Sequence, residues 1–211
     1  MDSAVEELPL YKGLTLDRVC FVQSAEQADI ALPLLLSADV LGFDTESKPT
    51  FTKGEVSTGP HLIQLATDDM AFLFPVRGAG DGVLTDLLKT VLESSQILKV
   101  GFGLRDDLKR LKEKLGIDTA GVLDLARALR GAEHNDVGAK SAVVRFFSQR
   151  LQKSKRISTT NWSLPRLNES QLLYAANDAH VALKVYRAWR AREADEKGAA
   201  TVTTTTATTA T

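Results

Sequence analysis

Apolar residues along this chain follow two rhythms. Four short, apolar-rich runs, VLGFDTE (40–46), HLIQLAT (61–67), MAFLFPV (70–76) and QILKVGF (96–102), are separated by Gly, Pro, Asp or Ser and read as strands. Longer stretches carry apolar positions three and four apart and read as helices. These are SAEQADIALPLLLSA (24–38), with a Ser cap and a break near Pro33, VLTDLLKTVLESS (83–95), and LRDDLKRLKEKLG (104–116), stopped by Gly116. GVLDLARALRG (121–131), AKSAVVRFFSQRLQ (139–152) and the stretch from Glu169 to Asp195 extend the helical pattern through the second half. Strands early and helices late predict an α/β fold with a mixed sheet and helices packed on its faces. The ordered domain is expected to end near residue 192. Residues 193–211 finish in a Thr/Ala-rich run with almost no large apolar residue and are expected to be disordered.

Three segments break the apolar pattern in the same way, by setting a carboxylate where periodicity turns it toward apolar neighbours. In a strand, residues two apart share a face, so Asp44 and Glu46 project together while Leu41, Phe43 and Thr45 project the other way. In the helix after Gly103, Leu104, Leu108, Leu111 and Leu115 form one stripe. Asp107 falls at the margin of that stripe, whereas Asp106 faces water and suits a capping role. In the last helix Tyr174, Asp178, Val181 and Val185 share a stripe. A second stripe, including Leu172, Ala175, Ala176, Ala179 and Leu183, faces another neighbour, which leaves Asn177, His180, Lys184 and Arg187 for solvent. Buried carboxylates are costly unless a cation neutralises them. Oxygen-only donors suit hard cations, so Asp44, Glu46, Asp107 and Asp178 are the expected ligands of two Mg²⁺ or Mn²⁺ ions, with Tyr174 beside them to orient a water. The bland alternatives are an exposed sheet end for the first segment and a Tyr–Asp hydrogen bond between two half-buried groups for the third.

Composition narrows the options. A chain of 211 residues suits one α/β domain, and 44% hydrophobic with 25% charged residues is ordinary for a globular protein. The single Cys20 excludes a Cys-rich zinc site and an intrachain disulfide. With no signal-peptide pattern at MDSAVEELPL, an intracellular, reducing compartment, the cytoplasm by default, is expected. No apolar run reaches membrane-spanning length. A net charge of −1 gives no global attraction to nucleic acid, so contact with a polymer must be local. Lys140, Arg145, Arg150, Lys153, Lys155 and Arg156 form the one basic stretch, although a solvated helix face would account for it too. Gly101 and Gly103 lack the third glycine of a dinucleotide loop, and no G-x-S-x-G elbow is present.

Taken in order, FDTE, the second Asp of GFGLRDD, and YAANDA resemble the three motifs of the DEDD 3′–5′ exonucleases, in the subgroup with a tyrosine in its third motif. That subgroup includes ribonuclease D, the proofreading domain of DNA polymerase I and the Werner-syndrome helicase exonuclease domain. The resemblance spans roughly residues 20–190, and NWSLPRLNESQLLYAANDAHVALKVY carries much of it. It implies a ribonuclease-H-like fold and a catalytic set of Asp44, Glu46, Asp107, Tyr174 and Asp178. It also implies two divalent ions and stepwise release of nucleoside 5′-monophosphates from a 3′ end of DNA or RNA. Phe51 and Lys53, in the polar loop after the first motif, and Lys155 and Arg156 are expected substrate contacts. A nucleic-acid-binding module with an exonuclease fold and little activity is the alternative, and a phosphohydrolase of free nucleotides a third reading.

Overall fold

The computed structural model describes residues 5, 7–50, 52, 54–55, 57–76, 82–131 and 135–206, with the side chains of 199–206 excepted. Six strands form one mixed sheet: β1 (Val19–Phe21), β2 (Val40–Glu46), β3 (Leu62–Ala66), β4 (Ala71–Pro75), β5 (Leu98–Gly101) and β6 (Val122–Asp124), in spatial order β1-β4-β3-β2-β5-β6. β2, β3 and β4 pair antiparallel, while β1 joins β4, β5 joins β2 and β6 joins β5 in parallel. Every residue of β3 and β4 is buried, as expected of strands covered on both faces.

The helices are α1 (Ala25–Leu36), α2 (Gly82–Leu92), α3 (Arg105–Leu115), α4 (Leu125–Ala128), α5 (Ala139–Phe147), α6 (Lys155–Ser158) and α7 (Glu169–Thr206). Alternation along β2 sorts them into two layers. Leu41 and Phe43 join Ile63, Leu65, Phe72 and Phe74 in a core closed by the apolar faces of α1, α2 and α3. On the opposite face Val40, Leu62 and Leu73 meet α7, with α4 and α5 alongside. α7 lies close on the sheet because Ala175, Ala176, Ala179 and Ala182 are small and almost fully buried. A Cβ at Gly42 would stand 2.0 Å from the Ala179 carbonyl oxygen, so glycine permits backbone-to-backbone contact between β2 and α7.

Four features differ from the sequence reading. Val19–Phe21 is a strand not anticipated, and GVLDLARALRG divides into β6 and the short α4, with Asp124 accepting from the Ala126 N–H as helix cap. α1 keeps Ser24 as its cap but passes through Pro33 without a break. The residue whose carbonyl loses its donor there, Asp29, is exposed and can be served by water. α7 continues past the expected domain end near 192 to Thr206; Ala, Arg, Glu and Lys between 188 and 200 favour helix, whereas the Thr/Val run of 201–206 follows without such a preference. Residues 207–211 of the expected tail lie outside the described residues. Among the described residues no helix is long and apolar enough to cross a membrane.

Candidate active site

The close contact of Gly42 with Ala179 brings together the carboxylates that flank it. Asp44, two residues along β2, and Asp178, one residue before Ala179, repel each other strongly enough to influence ionisation. Burial, followed by the Asp178 and Asp107 charges, raises the Asp44 carboxyl to about 8, against an opposing contribution from Lys153. Burial and then Asp44 and Asp178 raise Glu46 to about 9. Burial also lifts Asp178, with Lys153 and the Tyr174 hydroxyl opposing, and burial lifts Asp107, with Thr45 and Arg110 opposing. All four carboxylates therefore hold their protons more tightly than free carboxylates do.

Asp107 approaches from the other face of the sheet. Its Oδ1 accepts from the Thr45 hydroxyl at 2.5 Å, with Arg110 4.0 Å away on the next turn of α3. Thr45 points away from Asp44 and Glu46, so the end of β2 has acids on one side and a hydroxyl holding a fourth acid on the other. Asp106, exposed on the first turn of α3, acts on the cluster only through its charge, which adds to the lift on Asp107; Leu104 is the N-cap and its side chain makes no capping bond. Tyr174 stands one turn before Asp178, half-buried against Trp162, with ring centroids 6.0 Å apart. Burial, with Asp178 and Glu46, raises its hydroxyl well above the ordinary tyrosine value.

Lys153 is the residue that sequence reasoning missed at this site. Its Nζ lies 3.0 Å from Asp178 Oδ1 and 5.9 Å from the Tyr174 ring centroid. Burial works against the ammonium, but Asp178, Asp44 and Glu46 outweigh it and hold the pKa above the usual lysine value. One positive charge thus faces three acids, while Arg110 stands by the fourth, Asp107. Lys155 and Arg156, the expected substrate contacts, are exposed on α6, and neither has an ion pair among the described residues. Phe51 and Lys53 lie outside the described residues. The face of α7 assigned to solvent is largely covered instead. Asn177 Oδ1 accepts from the Leu14 N–H at 2.7 Å, and buried His180 meets the Asp68 carbonyl at 3.2 Å. Arg187 forks onto Asp39 and also reaches Asp68.

The donor set fits hard divalent cations: four carboxylates, no sulfur, and an excess of negative charge. Gln64 strengthens the fit. It is the register partner of Asp44 on β3, is fully buried, and has no hydrogen-bond partner for either side-chain polar atom. Such an amide is satisfied by a hydrated cation or an ordered water beside Asp44. Among the described residues no three acidic, histidine or cysteine side chains stand close enough to hold an ion together, since Asp178 is turned to Lys153 and Asp107 to Thr45. Ligation takes rotation of those two carboxylates. His61 is no ligand candidate, because both ring nitrogens are engaged: Nδ1 accepts from the Lys48 N–H and Nε2 lies 3.2 Å from the Thr58 hydroxyl.

A mixed sheet carrying paired acids on its central strand, completed by acids from two helices, defines the class of ribonuclease-H-like nuclease folds. The sequence profile of the 3′–5′ exonucleases matches residues 19–191, and the chain belongs to that family. Mouse bifunctional 3′-5′ exonuclease/ATP-dependent helicase WRN is 29% identical over 157 residues, covering 72% of this chain and 11% of that protein. The crystal structure of the Aedes aegypti Nibbler EXO domain superposes with a TM-score of 0.71 at 26% identity, covering 84% of this chain and 90% of that one. Trypanosoma brucei RNase D in complex with RNA U12 superposes at 0.70 with 22% identity, covering 88% and 63%. The chain spans about half or less of the length of the relatives it matches by sequence.

Proposed function

We propose that this chain is a metal-dependent 3′–5′ exonuclease domain that hydrolyses the terminal phosphodiester of a DNA or RNA strand and releases nucleoside 5′-monophosphates. What supports the reading is that Asp44, Glu46 and Asp178 lie near enough, beside Tyr174, for their charges to act on one another, with Asp107 held by Thr45 at the end of β2. Two divalent ions bound there would activate a water and stabilise the leaving oxygen of an in-line displacement. Asp44, Glu46 and Asp178 would hold one ion, and Asp44 with Asp107 the other. Tyr174, with its proton held firmly, donates a hydrogen bond that orients the attacking water. Lys153, released from Asp178, is a donor for a phosphate oxygen. Family membership and the likeness to an RNase D solved with RNA support a polynucleotide substrate.

The test presents purified protein with end-labelled DNA and RNA, single- and double-stranded, in Mg²⁺, Mn²⁺ or EDTA. Mononucleotides shed in order from the 3′ end, with metal only, are the expected products. Internal cuts, or hydrolysis of free nucleotides and no polymer, would overturn the reading.

A further inference from the structure

A second cavity lies beside the catalytic cluster and shares a residue with it. Of about 610 Å³, it is within the range of small-ligand pockets and is lined on one side by Lys140, Ser141, Val144 and Arg145 of α5. Leu151 and Lys153 are on the other side. Lys140, Arg145, Arg150 and Lys153 supply four cations to the lining, which Val5 and Gln152 complete, and among the described residues no acid joins them. Val144 and Leu151 give it an apolar wall. Leu151 and Gln152 also line the neighbouring hollow that contains Tyr174 and Asp178. Lys153 bridges the two spaces, with its Nζ on Asp178 and the residue itself in the wall of the basic pocket.

We propose that this pocket binds a single-stranded chain from the second nucleotide 5′ to the one being removed onward, beyond the pair that flanks the scissile bond; the proposal rests on the exonuclease reading above. Cations clustered over an apolar wall are what a backbone phosphate with an unpaired base needs, and a base held in a duplex cannot leave its partner to enter. The strand would run from Tyr174 past Lys153 into the pocket, so Lys140 and Arg145 meet phosphates upstream of the scissile one. The basic stretch of the sequence thereby acquires a direction: its catalytic end is Lys153 and its upstream end is α5.

Two exposed positions test this without disturbing the core, Lys140→Glu for the charge and Ser141→Trp to fill the space. Binding of a fluorescent single strand of about 12 nucleotides is followed by anisotropy in Ca²⁺, alongside Mn²⁺-dependent hydrolysis of the same strand and of a dinucleotide. Each variant should weaken binding of the long strand about tenfold. Lys140→Glu should also flatten the plot of log affinity against log salt by about 0.7 for the lost phosphate. Dinucleotide hydrolysis, which does not extend into the pocket, should stay at the wild-type rate. Long-strand binding unchanged in both variants, or a blunt duplex held as tightly as the single strand, would overturn the proposal. So would a parallel fall in dinucleotide hydrolysis, which would mean the substitutions act on the site itself. If the wild-type protein hydrolyses neither substrate, it is the exonuclease reading that fails.

Discussion

Gly42 and Ala179 touch backbone to backbone, with a notional Gly42 Cβ only 2.0 Å from the Ala179 oxygen and 3.2 Å from the Leu183 Cβ. The spacing of Asp44 and Asp178 is set by this contact. Gly42→Ala must push α7 off the sheet, and overpacking of this kind costs about 1–3 kcal/mol. Urea unfolding should show that loss, and divalent-metal affinity should fall with it because the two carboxylates separate. A variant as stable as wild type, with unchanged Mn²⁺ binding by calorimetry, would show that the contact does not set the site.

Asp44→Asn is expected to stabilise the metal-free protein while destroying its function. The Asp44 carboxyl is raised from 3.8 to about 8 in the fold, so between those values the folded state binds more protons than the unfolded one. Stability in EDTA should therefore decline as pH rises through that window, and the Asn variant should lose this contribution to the decline. Thermal unfolding in EDTA at neutral pH should show a higher melting temperature for Asp44→Asn, and added Mn²⁺ should no longer raise it.

Tyr174 and Asp178 share a stripe of α7 but should fail differently. Tyr174→Phe removes the hydroxyl proposed to orient the water and keeps the ring against Trp162, so single-turnover hydrolysis should slow by about 10²-fold while Mn²⁺ affinity holds. Asp178→Ala should lose both, and it strands Lys153 without its closest partner. Equal metal affinities for the two variants would refute this division of roles.

Lys99 gives a pH signature away from the site. It is fully buried on β5, its Nζ donates to the carbonyls of Ser94 (2.6 Å), Ile97 (2.7 Å) and Val91 (3.4 Å), and burial lowers it from 10.5 to about 8. Between those values the unfolded chain holds the extra proton, so stability should rise with pH across that interval. The rise should be absent from Lys99→Met, compared by denaturant titration at pH values on either side.

How much of this could be read from the residues depends on the range of the forces involved. Asp44, Glu46, Tyr174 and Asp178 were legible because the two-residue strand period and the helical stripe fix facing locally, and the leucine stripe of α3 separated Asp107 from Asp106 in the same way. β1 and β6 were not, since three-residue strands at the sheet edges owe their form to pairing with β4 and β5, and the β6 residues blend into the helical pattern of α4. Lys153 lies in the irregular segment between α5 and α6, where no periodicity applies; only the tertiary fold turns it, and not Lys155, toward the acids. His180 was misassigned to solvent because the β3–β4 turn, distant in sequence, covers it. Gln64 sat in a run that reads as strand, and nothing in that run distinguishes an orphaned amide from a satisfied one.

α7 carries Tyr174 and Asp178, and the same helix is tied to the amino-terminal segment through Asn177, to the β3–β4 turn through His180 and Lys184, and to the start of β2 through Arg187. A helix pinned in this way has no private route to unfolding: it is released only when the sheet itself comes apart. Loss of nuclease activity in rising denaturant would then coincide with loss of helical circular dichroism, and the rate of strand degradation would serve as a gauge of how much of the population is folded.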